Sequence, residues 1–248
     1  MKTLTFLLIS LFLTIFSLVG RSQTCIVLKQ EKDTIFVGAD SKSSIPNIGS
    51  DNKISTQTYK TICKLHTVGR YNFAIAGTPD SLIEIEATKA CQKGKNIKEV
   101  NDIFLSTVKD VITTYVENIR REQFDYYNYR FVNNDIASIS FYGFENGRSY
   151  LGTVYFDAIN KPNEAVKVKD TTVFRPFEVL GLSDHIRKQL GTNMLVLDAY
   201  LKKGKLYYIQ KLIEVELKAH PDHVGLPFDL MIVTNNGAKI VRVPKMTK

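Results

Sequence analysis

The chain has 248 residues, 44% of them hydrophobic and 23% charged, and a net charge of +8. That length suits one large domain or two small ones, and with no Pro/Ser-rich linker dividing it a single domain is expected. The basic residues are scattered, as on a solvated surface and unlike a nucleic-acid footprint, and three widely spaced cysteines (Cys25, Cys63, Cys91) exclude a disulfide framework and a CxxC metal or redox motif.

Residues 1–23 read as an export signal. Lys2 supplies the positive end, and Leu4 to Gly20 is apolar but for Thr5, Ser10, Thr14 and Ser17. Small residues at Gly20 and Ser22 favour a cut before Gln23, so exposing Thr24 requires removal of one more residue. Residues 24–248 then form the mature domain in a periplasmic or extracellular compartment. No later run is long and apolar enough to span a bilayer, so no membrane contact is expected once the signal is gone. Export would also let one cysteine pair oxidise.

The runs CIVLKQ and TIFVGAD predict a hairpin, and TIFVGA lacks polar alternation, which predicts a strand covered on both faces. Residues 41–58, rich in Ser, Asn, Gly and Thr, read as a loop or irregular strand. TICKLHTVGRYNFAIAG predicts a second strand pair turning near Gly69–Arg70 and ending at Gly77. A helix follows, N-capped by Asp80 or Ser81, with Leu82, Ile85 and Cys91 on its apolar face and Gly94 closing it. A longer helix carries Ile97, Val100, Phe104, Val108, Val111, Tyr115 and Ile119 as a core stripe.

Strands return from Asp135: IASISFYGF, a turn at Asn146–Gly147, then SYLGTVYFDA, and TTVFRPFEVLG as one further strand. Leu206, Ile209, Ile213 and Leu217 mark an amphipathic helix stopped at Pro221. FDLMIVT and AKIVRV flank a final turn at Asn235–Asn236–Gly237. Two mainly antiparallel sheets packed face to face, with helices outside, account for this order. The expected fold is thus an α+β, four-layer αββα sandwich.

The chemistry concentrates at Thr24. As a first residue it would carry a hydroxyl nucleophile and a free α-amine together. That amine has a pKa of about 7.7–8.0 and can serve as the base, through one water. A neighbouring ammonium would favour the neutral amine and the developing alkoxide. At an effective dielectric near 20, two unit charges about 4 Å apart interact by roughly 4 kcal/mol. A carboxylate must in turn hold that lysine charged.

The segment TCIVLKQEKDTIFVGADSKSS resembles the start of the proteasome β-subunit family, within the N-terminal-nucleophile (Ntn) hydrolases. Thr24 and Asp40 are sixteen residues apart, with Asp40 inside Ala39–Asp40–Ser41–Lys42. A lysine then precedes an apolar strand that stops at a glycine, as in CKLHTVGRYNFAIAG. Helices and strands follow in that family's order. The resemblance spans 24–245 in topology and is specific in 24–42 and 60–78.

It implies a threonine-type hydrolase of amide bonds, peptidase-like, that needs no cofactor or metal, and the signal at 1–23 would make it an exported one. Thr24 would attack the carbonyl, Asp40 would orient the lysine, and the Gly77 N–H would bind the oxyanion. The lysine is Lys64, thirteen residues before Gly77, or Lys60 on the same strand face. Ser183, or Leu182 if nothing is inserted, and Asp222 would stand near the amine. Here the chain departs from the pattern, since the family's second serine is replaced near Val224. Ile75 would line an apolar pocket for the residue before the cut bond. The implied partners are a peptide or acyl-amide substrate and further copies of the chain in a homo-oligomer. An amidase acting on small acylated molecules and a catalytically inactive binding or assembly protein are the alternatives on the same fold.

Two other sites compete. Cys25 would be the nucleophile if processing also removed Thr24. His220, Asp222 and His223 cluster in sequence but lack the spacing of an HExxH metal helix. Neither a Gly-rich phosphate loop nor a G-x-S-x-G elbow is present.

Overall fold

The computed structural model describes residues 24–48, 54–77, 81–131, 135–159, 164–190 and 204–244. The export signal at 1–23 and the proposed cap Asp80 lie outside them. The first hairpin is β1 (Cys25–Gln30) and β2 (Ile35–Asp40), paired antiparallel from Ile26↔Ala39 to Gln30↔Ile35. All of β2 except Phe36 is buried, as a strand covered on both faces must be.

The Ser/Thr-rich segment forms a two-stranded sheet, β3 (Lys42–Ile48) with β4 (Ile54–Thr61), and not a loop. Next come β5 (Leu65–Val68) and β6 (Tyr71–Gly77), turning at Gly69 with φ +60°. Three helices follow: α1 (Ser81–Lys93), α2 (Ile97–Glu122) and α3 (Phe124–Arg130). Asn96 caps α2 by accepting from the Glu99 amide at 2.8 Å.

The long hairpin β7 (Asp135–Glu145) and β8 (Arg148–Ile159) turns at Asn146 and Gly147, both with positive φ. The single strand expected in TTVFRPFEVLG is two strands, β9 (Lys167–Val173) and β10 (Phe177–Gly181). They belong to different sheets, β9 pairing with β8 and β10 with β1. The break spans Phe174–Pro176, where proline has no N–H to give a ladder and the Pro176 carbonyl accepts from Gln30 N. The chain ends in α4 (Asp184–Leu190), α5 (Lys205–Ala219), β11 (Phe228–Thr234) and β12 (Gly237–Val243).

Two five-stranded antiparallel sheets result, ordered β10-β1-β2-β11-β12 and β5-β6-β7-β8-β9. One core lies between them, where Ile26, Leu28 and Val37 meet Ala74, Ala76, Tyr142 and Leu151. The outer face of the first sheet packs on α4 and α5 through Cys25, Val27, Ile186, Leu212 and Ile213. The outer face of the second packs on α1 and α2 through Phe73, Phe141, Ala87 and Phe104. Gly38 lets α5 come close, because a Cβ there would stand 2.5 Å from Ile209 Cγ2.

Two helix faces differ from expectation. On α1 the expected Leu82 lies outside the described side chains; among those described, Ile83, Ala87, Ala90 and Cys91 are buried, while Ile85 is 45% exposed. On α2 the seam begins as expected and then shifts from Val111 and Tyr115 to Ile112 and Val116. A 3.6-residue turn makes such neighbours share the edge of one stripe.

Candidate active site

β1 and β2 run antiparallel, so the start of one adjoins the end of the other. Thr24, just before β1, therefore lies beside Asp40, the last residue of β2. The Cys25 amide donates to Asp40 Oδ1 at 2.8 Å. Lys64, immediately before β5 of the facing sheet, donates to the same oxygen at 2.8 Å and to the Lys42 carbonyl at 2.7 Å. The other carboxylate oxygen accepts from the amides of Lys42 at 3.1 Å and Gly225 at 3.3 Å. Asp40 thus links three backbone segments and one ammonium in the gap between the two sheets.

The electrostatics follow from burial. Asp40 has no exposed surface and Lys64 is 4% exposed. Burial pushes the Asp40 carboxyl above its ordinary range, and the Lys64 ammonium with the Cys25 and Gly225 amides pulls it part of the way back. A buried ion pair of this kind is tenable only when its remaining lone pairs and protons are also used. Lys60, the alternative lysine, sits exposed on β4 and pairs in register with Ser43.

The other expected residues are distributed as follows. Leu182 donates its amide to the Thr24 carbonyl at 2.7 Å, extending the β10–β1 ladder past Cys25↔Gly181. Ser183 is the next residue, buried, and its hydroxyl accepts from Arg187 Nε at 3.0 Å. Gly77 ends β6 with φ +110°, where a Cβ would meet the Ile136 carbonyl at 2.6 Å and Ala137 Cα at 2.7 Å. Ile75 is half-buried and packs on the core beneath α1 and α2. Asp222 is exposed on the turn after α5. It is the backbone of that turn that reaches the site, through Gly225 N to Asp40 and through the Pro221 carbonyl to Lys42 Nζ at 2.7 Å. Val224 is fully buried.

Sequence reading missed a second support. Ser41 Oγ donates to Asp229 Oδ2 at 3.0 Å, and Arg242 clamps Asp229 at 2.7 and 3.0 Å. This fixes the residue after Asp40 to β11. An acid inside the apolar run FDLMIV was the available signal, since such a residue must be paired.

The cysteines are free thiols, with Cys25 and Cys91 buried and Cys63 exposed. Burial, with the nearby charges of Asp40 and Glu216, pushes the Cys25 thiol well up, and Lys64 opposes only in part. A thiol held in that form is a poor nucleophile, which argues against Cys25 as the reacting group. The rival cluster in sequence, His220, Asp222 and His223, is not one cluster in space. His220 groups with His185 and Glu216, while Asp222 is exposed.

A cavity of about 360 Å³ adjoins the site, lined by Lys42, Lys60, Leu217, Val224, Gly225 and Leu226. A larger one, about 650 Å³, lies at the opposite end of the sheets between the Gly69–Arg70, Asn146 and Asn235 turns. It contains none of the residues around Asp40. Among the described residues no helix is long and apolar enough to cross a membrane. No protein-family model matches the chain, and no curated protein matches it.

Proposed function

We propose that the chain is an exported Ntn hydrolase of the proteasome β-subunit type, with a four-layer αββα fold, that cleaves amide bonds through Thr24. The single observation that carries this reading is the shared oxygen of Asp40, which holds Lys64 and the Cys25 amide at 2.8 Å each. That oxygen puts a buried ammonium beside the Thr24–Cys25 peptide. Freed of residues 1–23, Thr24 would lose its hydroxyl proton to its own amine, and the ammonium would favour the alkoxide. Thr24 Oγ would add to the substrate carbonyl with the Gly77 N–H hydrogen-bonded to the oxyanion. The C–N bond would break as the α-ammonium returns the proton to the leaving amine, and water would then hydrolyse the ester to the acid and free Thr24. The pocket flanked by Lys42, Lys60 and Leu226 suits a peptide or an acyl-amide with an apolar and an anionic part.

Burial of Val224 and exposure of Asp222 favour a second reading, a non-catalytic binding protein of the same fold. Intact mass of exported protein treated with a threonine-directed β-lactone separates the two. A chain beginning at Thr24 and carrying one adduct on that residue supports the hydrolase. A chain retaining Gln23, without adduct, rejects it.

A further inference from the structure

The helix side of the first sheet carries a second cluster that the proposed hydrolysis does not use. His185 lies in the first turn of α4, Glu216 in the last turn of α5, and His220 directly after α5. One ring nitrogen of His185, a carboxylate oxygen of Glu216 and one ring nitrogen of His220 all lie within 4.8 Å of one another. Glu216 and His220 are four residues apart, which places both on one face of the helix end.

Glu216 is fully buried. One of its oxygens has an ordinary role: Oε1 accepts from the Ile186 amide at 2.8 Å and satisfies the start of α4. The other has none. Oε2 makes no hydrogen bond, and it faces His185 Nδ1 at 3.6 Å and His220 Nε2 at 3.9 Å. His185 Nδ1 is likewise buried and without a hydrogen bond. Leaving such buried atoms unsatisfied is costly, so a partner is expected.

The separations are too long for hydrogen bonds, whose usual range ends near 3.2 Å. They are close to the edge of a coordination polyhedron. Four donors about 2.0–2.1 Å from a tetrahedral ion stand about 3.4 Å apart. A protonated imidazole bridging to Oε2 would draw the pair closer than this. Two imidazoles and one carboxylate suit a borderline-soft divalent ion such as zinc, and suit calcium or magnesium poorly, since those ions take oxygen donors.

We propose that His185, Glu216 and His220 bind one zinc-class divalent ion that cross-links α4 to α5. The side chains of His185 and His220 are 40% and 21% exposed, so water reaches the cluster and can complete the coordination. The ion would act as a brace. The chain enters α4 from Leu182, whose amide holds the Thr24 carbonyl at 2.7 Å. Fixing α4 against α5 therefore fixes the corner that carries Thr24. This assignment does not depend on hydrolytic activity.

The test is metal binding by the full chain after dialysis against a chelator. Calorimetric titration with zinc should give one ion per chain, and cobalt(II) should give visible ligand-field bands. His185→Ala and His220→Ala should each weaken zinc binding more than about a hundredfold. His223→Ala, whose ring centroid is 6.4 Å from that of His220, should bind within a few-fold of the wild type. Zinc should raise the melting temperature of the wild type and not that of His185→Ala. Glu216→Gln also touches the α4 cap, so His185→Ala carries the test if that variant fails to fold. Absence of stoichiometric binding, or binding unchanged in His185→Ala, overturns the proposal.

Discussion

Lys64 Nζ stands 2.8 Å from Asp40 Oδ1, with the two side chains 3% and 0% exposed. The pair joins the end of a strand in one sheet to the start of a strand in the other. Neither charge has water to fall back on, so the two residues are not equivalent to mutate. Asp40 also collects three backbone amides, from Cys25, Lys42 and Gly225, whereas Lys64 adds one bond to the Lys42 carbonyl.

Asp40→Asn should therefore destabilise the fold by about 3–5 kcal/mol, the cost of leaving a buried charge without its partner. Lys64→Met fills a similar volume and leaves Asp40 its three amides, so its loss should be smaller, about 1–3 kcal/mol. Its effect on hydrolysis should be the larger one, at least about a hundredfold in kcat. Urea denaturation of both variants measures the first difference and amide-substrate kinetics the second. Equal stabilities for the two would show that Asp40 is not the organising residue.

Thr24→Ala should abolish hydrolysis and covalent labelling while costing about 1 kcal/mol of stability or less. Thr24→Ser keeps a hydroxyl and an amine and should retain part of the activity. Because the base is an α-amine that a neighbouring ammonium keeps neutral, the wild-type rate should climb with pH and level off at or below the ordinary α-amine range of about 7.7–8.0. A rate independent of pH from 6 to 9 would remove the amine from the mechanism.

Gly77→Ala tests a backbone requirement. At φ +110° a methyl group would press on the Ile136 carbonyl and Ala137 Cα. Those are backbone atoms of β7 and cannot turn aside as a side chain would. A loss of about 2 kcal/mol or more is expected, together with displacement of the amide assigned to the oxyanion. A thermal melt reports the first effect. An unchanged melting temperature would mean that β6 and β7 separate at this end at little cost.

Parts of this arrangement were legible in the sequence and parts were not, for physical reasons. The β1–β2 hairpin was readable because a strand buried on both faces leaves an unbroken apolar run, while Asp40 was singled out by the resemblance. β3 and β4 were legible only as a loop or irregular strand, because Ser- and Thr-rich strands paired with each other carry no apolar period. The split of TTVFRPFEVLG depends on which sheet each half joins, a decision made by β8 and β1 far away in the chain. On α1 hydropathy favoured Ile85, yet close packing selected Ala87 and Ala90. Within the site, Gly225 and Lys42 act through backbone atoms, which no side-chain motif reveals. Glu216 looked like any helix glutamate until α4 folded over it.

His66 supplies a pH dependence separate from the Asp40–Lys64 pair. Its ring stacks on Phe73 with centroids 4.5 Å apart, and its Nδ1 lies 3.3 Å from Glu84 Oε1. Burial lowers its pKa from the ordinary 6.5, and the half-exposed Glu84 offsets this only in part. As pH falls through about 6.5 the unfolded chain takes up this proton while the folded chain resists it. The unfolded state thus binds more protons in that window, and stability declines with falling pH until the folded imidazole also titrates. Replacing His66 with phenylalanine keeps an aromatic ring against Phe73 and removes the titration. The urea midpoint of the wild type should fall more steeply between pH 7 and 5 than that of His66→Phe. Parallel slopes would mean that folding leaves the imidazole unshifted, and a shallower wild-type slope would mean that Glu84 outweighs burial and the assigned sign is wrong.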